Sequence, residues 1–320
     1  MEMHIAKLMY HKWEEEPISG IASGYAGTFA IFFYGCNMRC VYCQNSKISH
    51  KIVGASLRAR RKGELCEPVV GAKHCEPGKI IYTPDELSDL MLKAEKDNCA
   101  SVSFITGVLY VDKIVETIKL AKMKGLKLPI VYNSSGYEIV SQIKKLDGLV
   151  DIYLPDFKYY DNELGKKFSK VNNYPDVAKK CIAEMYRQVV GEKHSELKDE
   201  ELKDGADGGV AHIVRDDKVG AKHREPVLIV RHLVLPGHTE NSKQVIKYLY
   251  DTYGDDICLS IMSQYTPMLD NVGLNVFPEL TRKLTKREYE KVVNYAISLG
   301  IKNALIQEGD VAMESFIPKF

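Results

Sequence analysis

No segment of this chain runs long enough without a charged residue to cross a bilayer, and its start, MEMHIAKLMYHKWEEEPISG, lacks the basic opening and unbroken apolar stretch of a secretory signal. Both absences predict a cytoplasmic protein with no membrane partner. Net charge is equally scarce. Lys+Arg at 44 against Asp+Glu at 43 leaves +1, so no global field draws the chain to nucleic acid. Cysteine is present, with 8 in 320 residues, but in a reducing compartment this excludes a disulfide framework and points a tight cysteine group toward metal or redox chemistry.

What the chain does have is rhythm. Short apolar, β-branched runs at 28–33, 101–106, 128–133, 149–154, 227–235, 257–263 and 303–307 alternate with helical periodicity at 84–97, 111–124, 137–146, 177–189, 241–253 and 285–299. Thr83 can cap the first of these helices, with Pro84 at its first position and Glu86 in its first turn, and Gly125 stops the second. Repeated strand and helix imply an α/β fold with a parallel sheet, either a partial TIM-like barrel or a doubly wound open sheet. With 45% hydrophobic residues, the chain is expected to form a single domain over 1–320.

Two stretches interrupt the pattern, 56–79 and 191–226, and read as surface insertions. They share a short repeat, VVGAKHCEP at 69–77 and KVGAKHREP at 218–226, with an echo at 189–196. Copies this short and this far apart are not a solenoid. His74, Cys75, His194 and His223 therefore read as passengers.

Chemistry is concentrated in Cys36-Asn-Met-Arg-Cys40-Val-Tyr-Cys43, directly after an apolar strand and Gly35. Three thiolates on one loop can hold three irons of a cubane and leave the fourth open, whereas ferredoxin clusters use four cysteines. The alternatives are a structural zinc site, which would need His50 or a distant cysteine as fourth ligand, and three unconnected thiols. Cys99, Cys181 and Cys258 stand singly in the pattern and read as packing.

The segment 34–45, YGCNMRCVYCQN, resembles the cluster loop of the radical SAM superfamily, C-x3-C-x-Φ-C, with Tyr42 as the aromatic before the last cysteine. Residues 27–50, 126–188, 230–237 and 261–267 are similar to the branch of pyruvate formate-lyase activating enzyme. The resemblance implies a partial (β/α)6-type barrel whose [4Fe–4S] cluster, on Cys36, Cys40 and Cys43, binds S-adenosylmethionine at its open iron. It further implies reductive cleavage of that cofactor to a 5′-deoxyadenosyl radical that abstracts hydrogen, with a flavodoxin or ferredoxin as reductant. A glycyl radical enzyme is one implied substrate, and another peptide or a small molecule is the alternative. A non-catalytic iron–sulfur or zinc protein remains the non-enzyme reading.

Polar residues stand where apolar strands end, as ligand groups do in a β/α barrel: Asn133 with Ser134 and Ser135, Asp156 with Lys158, and Gln264. Two apart in extended chain, Asp156 and Lys158 project to one side. Arg231, inside an apolar run, needs an acidic partner, either the carboxylate of the cofactor or a buried acid such as Asp156. His232 is expected to face the other way, as a core residue. Pro236-Gly237 is expected to turn at the rim. The expected cofactor site is Tyr42, Thr106, Asn133, Ser135, Asp156, Lys158, Arg231 and Gln264. One departure stands out: where most of the superfamily carries a Gly-Gly-Glu-like segment, and the related branch Thr-Pro-Thr-His, this chain reads Thr106-Gly-Val-Leu-Tyr110, without an acid.

Overall fold

A computed structural model describes residues 2–50, 81–197 and 227–307, the side chains of 191–197 excepted. The expected insertion at 56–79 and all but the first seven residues of the one expected at 191–226 lie outside the described residues, and with them His74, Cys75 and His223, as does the side chain of His194; residues 191–197 instead continue the helix that begins at Tyr174.

Among the described residues nine strands form one sheet: β1 (Met3–His11), β2 (Thr28–Phe33), β3 (Ile81–Tyr82), β4 (Ser101–Ile105), β5 (Ile130–Ser134), β6 (Ile152–Pro155), β7 (Val227–Leu233), β8 (Cys258–Met262) and β9 (Ala304–Ile306). Their order is β3-β1-β2-β4-β5-β6-β7-β8-β9, so the sheet is open. From β2 onward every pairing is parallel, and β1 runs antiparallel to both its neighbours. Strand order follows chain order from β4 to β9 without reversal, which removes the doubly wound alternative.

The helices are α1 (Glu16–Ser19), α2 (Ser46–Ser49), α3 (Pro84–Lys96), α4 (Val111–Met123), α5 (Val140–Ile143), α6 (Asn162–Ser169), α7 (Tyr174–Leu197), α8 (Thr239–Tyr253) and α9 (Lys286–Ser298). The Thr83 cap forms as expected: its hydroxyl accepts from the Glu86 amide, and the Glu86 carboxylate accepts from the Thr83 amide at 2.9 Å. Gly125 follows α4 with φ +99°, a left-handed conformation suited to glycine. The periodicity at 137–146 resolves into only one α-helical turn, α5, followed by a 3-10 turn, Lys144–Leu146.

Alternation along the strands divides the sheet into two faces. Phe29, Ile31 and Phe33 join Leu87, Met91, Ile114 and Ile118 in the main core beneath α3 and α4. Ala30 and Phe32 belong to a separate cluster with Tyr34 and Ile105 on the other face. Burial of both faces is why these strands read as continuous apolar runs. Deeper on that second face, Val131, Leu154 and Ile229 close around Ile18 of α1, whose burial contributes about 2 kcal/mol. The segment before α1 is thus held against this face, with Glu14 3.3 Å from Arg231 and Glu15 accepting from Ser260 Oγ at 3.0 Å.

Candidate functional site

Every parallel strand ends on the same rim, and β2 delivers the cysteine loop there. Gly35 begins it at φ +87°, its amide donating to the Ile48 carbonyl at 3.1 Å. The end of α6 then grips the loop: the last carbonyls of a helix lack intrahelical partners, and here those of Phe168 and Ser169 accept from the amides of Val41 at 2.8 Å and Arg39 at 3.0 Å. On the other side Asn271, in the segment after β8, donates through Nδ2 to the carbonyls of Cys43 at 2.9 Å and Val41 at 3.0 Å, and its Oδ1 accepts from Ser46 Oγ at 2.6 Å. Asn37 Nδ2 ties the loop to the Tyr137 carbonyl at 2.6 Å.

Each of the three sulfurs has a hydrogen-bond partner. Met38 N reaches Cys36 Sγ at 3.4 Å, Ser169 Oγ reaches Cys40 Sγ at 3.0 Å, and Ser49 Oγ stands 3.2 Å from Cys43 Sγ. Burial pushes Cys36 and Cys40 up to about 11 and raises Cys43 as well, and each is further raised by another of the three, so the thiols sense one another around the loop. The ammonium of Lys158 opposes this at all three. Among the described residues no three His, Cys, Asp or Glu side chains are gathered to hold a single metal ion, His50 included.

Beside the thiols lies a charge network. Lys158 Nζ pairs with Asp156 Oδ2 at 2.6 Å, and Arg231 Nε donates to Asp156 Oδ1 at 3.2 Å. Arg231 also reaches Asn133 Oδ1 at 2.7 Å and Glu14 Oε2 at 3.3 Å. Burial alone would push the Asp156 carboxyl up, but Lys158 and Arg231 outweigh it and hold the group below the usual carboxylate range. Glu14 is the opposite case. Burial lifts it to about 7, against the pull of Arg231 and with the help of neighbouring Glu15. His11, buried and with Nδ1 unpartnered among the described residues, is lowered to about 4 by burial and then by Arg231.

Four of the residues expected from the sequence meet. Asn133, Asp156, Lys158 and Arg231 come together in one hydrogen-bonded network, with the acids Asp156 and Glu14 partnering Arg231. Tyr42 is buried, its hydroxyl 2.5 Å from that of Tyr159. Thr106 directly follows β4 at φ +60°, a strained conformation for a β-branched residue, with its amide donating to the Asn133 carbonyl at 3.2 Å. Ser135 serves the local chain, its hydroxyl accepting from the Tyr137 amide and its carbonyl from Tyr174. The Gln264 carbonyl accepts from Gln44 Nε2 at 3.3 Å, bringing β8's end to the loop. His232 faces the core, with Nδ1 2.7 Å from the Phe157 carbonyl. Gly237 turns at φ +80° and its amide donates to Glu288. Cys99, Cys181 and Cys258 are buried singly.

Glu14, Glu15, Ser49, Tyr159, Ser169 and Asn271 escaped the reading of the sequence. For the two acids a signal existed, a run of three glutamates directly before Pro17, but such a run ordinarily marks a solvated surface. None existed for Asn271.

Residues 30–190, half of the chain, match the family described as the radical SAM superfamily. A curated relative, "Uncharacterized protein MJ0674" of Methanocaldococcus jannaschii, is 29% identical over 266 residues, which is 83% of this chain and 61% of that protein. The chain thus spans about three-fifths of the length of the curated relative it matches. Among solved structures, Streptococcus suis SuiB bound to S-adenosylmethionine is similar with a TM-score of 0.48 at 10% identity, over 87% of this chain and 49% of that one. A domain of pyruvate-formate lyase-activating enzyme from Bacteroides vulgatus is similar with a TM-score of 0.41 at 12% identity, over 65% of this chain and 99% of that one.

Proposed function

The chain belongs to the radical SAM superfamily, and on that footing we propose that it is an enzyme carrying a [4Fe–4S] cluster on Cys36, Cys40 and Cys43 that reductively cleaves S-adenosylmethionine. The observation that carries this reading is the sulfur set: three mutually sensing thiols on one loop, each with its own hydrogen-bond partner, beside the buried ammonium of Lys158. Thiols raised by burial do not ionise unaided at neutral pH, and a soft metal centre supplies what holds them as thiolates. Three such ligands leave a coordination position open, which closed four-ligand carriers lack.

When bound, the cluster and S-adenosylmethionine supply the one-electron cleavage and the hydrogen-abstracting radical. The chain's own residues do the rest. Lys158, Asp156, Arg231 and Asn133 form a preorganised polar wall beside the loop, whose charges suit the amino and carboxylate groups of an amino-acid ligand. Tyr42 and Tyr265, buried with ring centres 6.1 Å apart, pack apolar rings behind the loop and keep water from its inner side. Thr106 and the β4 rim offer backbone groups in place of the acid the sequence lacks there.

The radical's acceptor is proposed to be a glycyl residue of a partner protein, with flavodoxin or ferredoxin as reductant, on the resemblance of 126–188, 230–237 and 261–267. Anaerobically reconstituted protein supplied with dithionite and S-adenosylmethionine is expected to yield 5′-deoxyadenosine, and Cys43→Ala to yield none. A reconstituted wild type that forms no 5′-deoxyadenosine refutes the proposal.

A further inference from the structure

Behind one of the three sulfurs stands a chain of buried hydroxyls. Ser169 Oγ is 3.0 Å from Cys40 Sγ, Tyr159 Oη is 2.7 Å from Ser169 Oγ, and Tyr42 Oη is 2.5 Å from Tyr159 Oη. Ser169 and Tyr159 are fully buried, Tyr42 is 6% exposed, and Cys40 is 9% exposed, so water does not compete along this line. Ser169 is also held in place by its backbone, since its carbonyl accepts from Arg39 and that of Phe168 from Val41, both inside the cysteine loop.

Direction follows from chemistry. A metal-bound thiolate has no proton, so Ser169 must donate to Cys40. Its oxygen then accepts from Tyr159, whose oxygen in turn accepts from Tyr42, and each donation polarises the next. Cys36 meets the Met38 amide, and Cys43 meets the Ser49 hydroxyl and the Asn45 backbone, so among the described contacts Cys40 alone has a relay of hydroxyls behind it. Hydrogen bonds to cluster sulfurs stabilise the more negative, reduced state and are one of the protein's means of setting the potential.

We propose that Tyr42, Tyr159 and Ser169 form a directed hydroxyl chain that donates to the Cys40 thiolate and raises the reduction potential of the cluster. They are positioning residues, and the inference rests on the cluster assigned above. It gives Tyr42 a task beyond facing a cofactor, and it ties α6 to the electronics of the loop that α6 grips.

The test is an EPR-monitored potentiometric titration of the reconstituted protein without S-adenosylmethionine. Ser169→Ala is expected to shift the one-electron equilibrium about tenfold toward the oxidised form, ~59 mV more negative. Tyr159→Phe should move the potential in the same direction by less, and Tyr42→Phe by less again. In the Ser169→Ala background Tyr159→Phe should add nothing, because the relay is already cut, whereas a purely structural role would leave the two shifts additive. Wild-type potentials in both tyrosine variants, or additive shifts in the double variant, overturn the proposal. A wild type that takes up no cluster overturns it too, together with the reading beneath it, and iron analysis separates that case from the others.

Discussion

Asp156 and Lys158, two residues apart at the end of β6, form an ion pair at 2.6 Å, and the other carboxylate oxygen of Asp156 accepts from Arg231 at 3.2 Å. One carboxylate therefore bridges two largely buried cations, and Glu14 Oε2 faces the Arg231 guanidinium at 3.3 Å as a second acid. Asp156→Asn keeps the shape and removes the charge, leaving Lys158 uncompensated and Arg231 with Glu14 alone. Loss of about 3 kcal/mol is expected from urea unfolding of the cluster-free protein, because removing one partner strands a buried charge. An unchanged unfolding midpoint would show that solvent already screens the network.

Asn271 bridges the segment after β8 to the cysteine loop through two carbonyls and one hydroxyl. Asn271→Ala leaves those groups unpartnered at a part-buried site, and about 2 kcal/mol of stability should be lost. The sharper readout is iron: after identical reconstitution and desalting, the variant should retain less iron per chain than the wild type. Equal retention argues that α6 holds the loop unaided.

Gly136 sits at φ +74°, where a Cβ would lie 2.1 Å from the Asp156 carbonyl oxygen. The β5 turn is thus packed against the backbone that presents Asp156. Gly136→Ala should cost more than about 1 kcal/mol, from the left-handed backbone together with the clash, as measured by thermal unfolding. A neutral substitution would mean that the turn can move away from β6.

Glu14 gives a pH dependence whose sign is fixed. Its carboxyl is raised from 4.5 to about 7 by burial, so the folded chain binds a proton the unfolded chain has released. The stability it contributes is present below about 4.5 and is lost as pH rises through about 7. Within that window each pH step of one costs up to ~1.4 kcal/mol. Glu14→Gln should flatten the fall in unfolding free energy over the same range while keeping an acceptor for Arg231. An identical pH profile in the variant would remove Glu14 as its source.

Legibility in the sequence tracked locality. The cysteine loop was readable because its three cysteines lie within eight positions of one another. β2 appeared with the same bounds it has in the structure, and Asp156 with Lys158 needed only the period of a strand. β1 was missed because its apolar residues do not alternate cleanly: its register shifts between Ile5 and Lys7, and the buried positions lose their two-residue period there. The short helices α1, α2 and α6 carry too few turns for periodicity to register. Ser169 and Asn271 meet the cysteine loop across 129 and 228 positions, at Cys40 and Cys43, and no local pattern announces such pairings. Arg231 was readable as a buried cation in need of an acid, but Glu14, 217 positions away on the segment before α1, was not.

The central claim, a three-cysteine cluster open to S-adenosylmethionine, is tested most directly by EPR of the anaerobically reconstituted, reduced protein with and without that cofactor. The account predicts a reduced [4Fe–4S] signal that changes on addition of S-adenosylmethionine and is abolished in Cys43→Ala. A cluster signal indifferent to the cofactor, or no cluster at all, would contradict it.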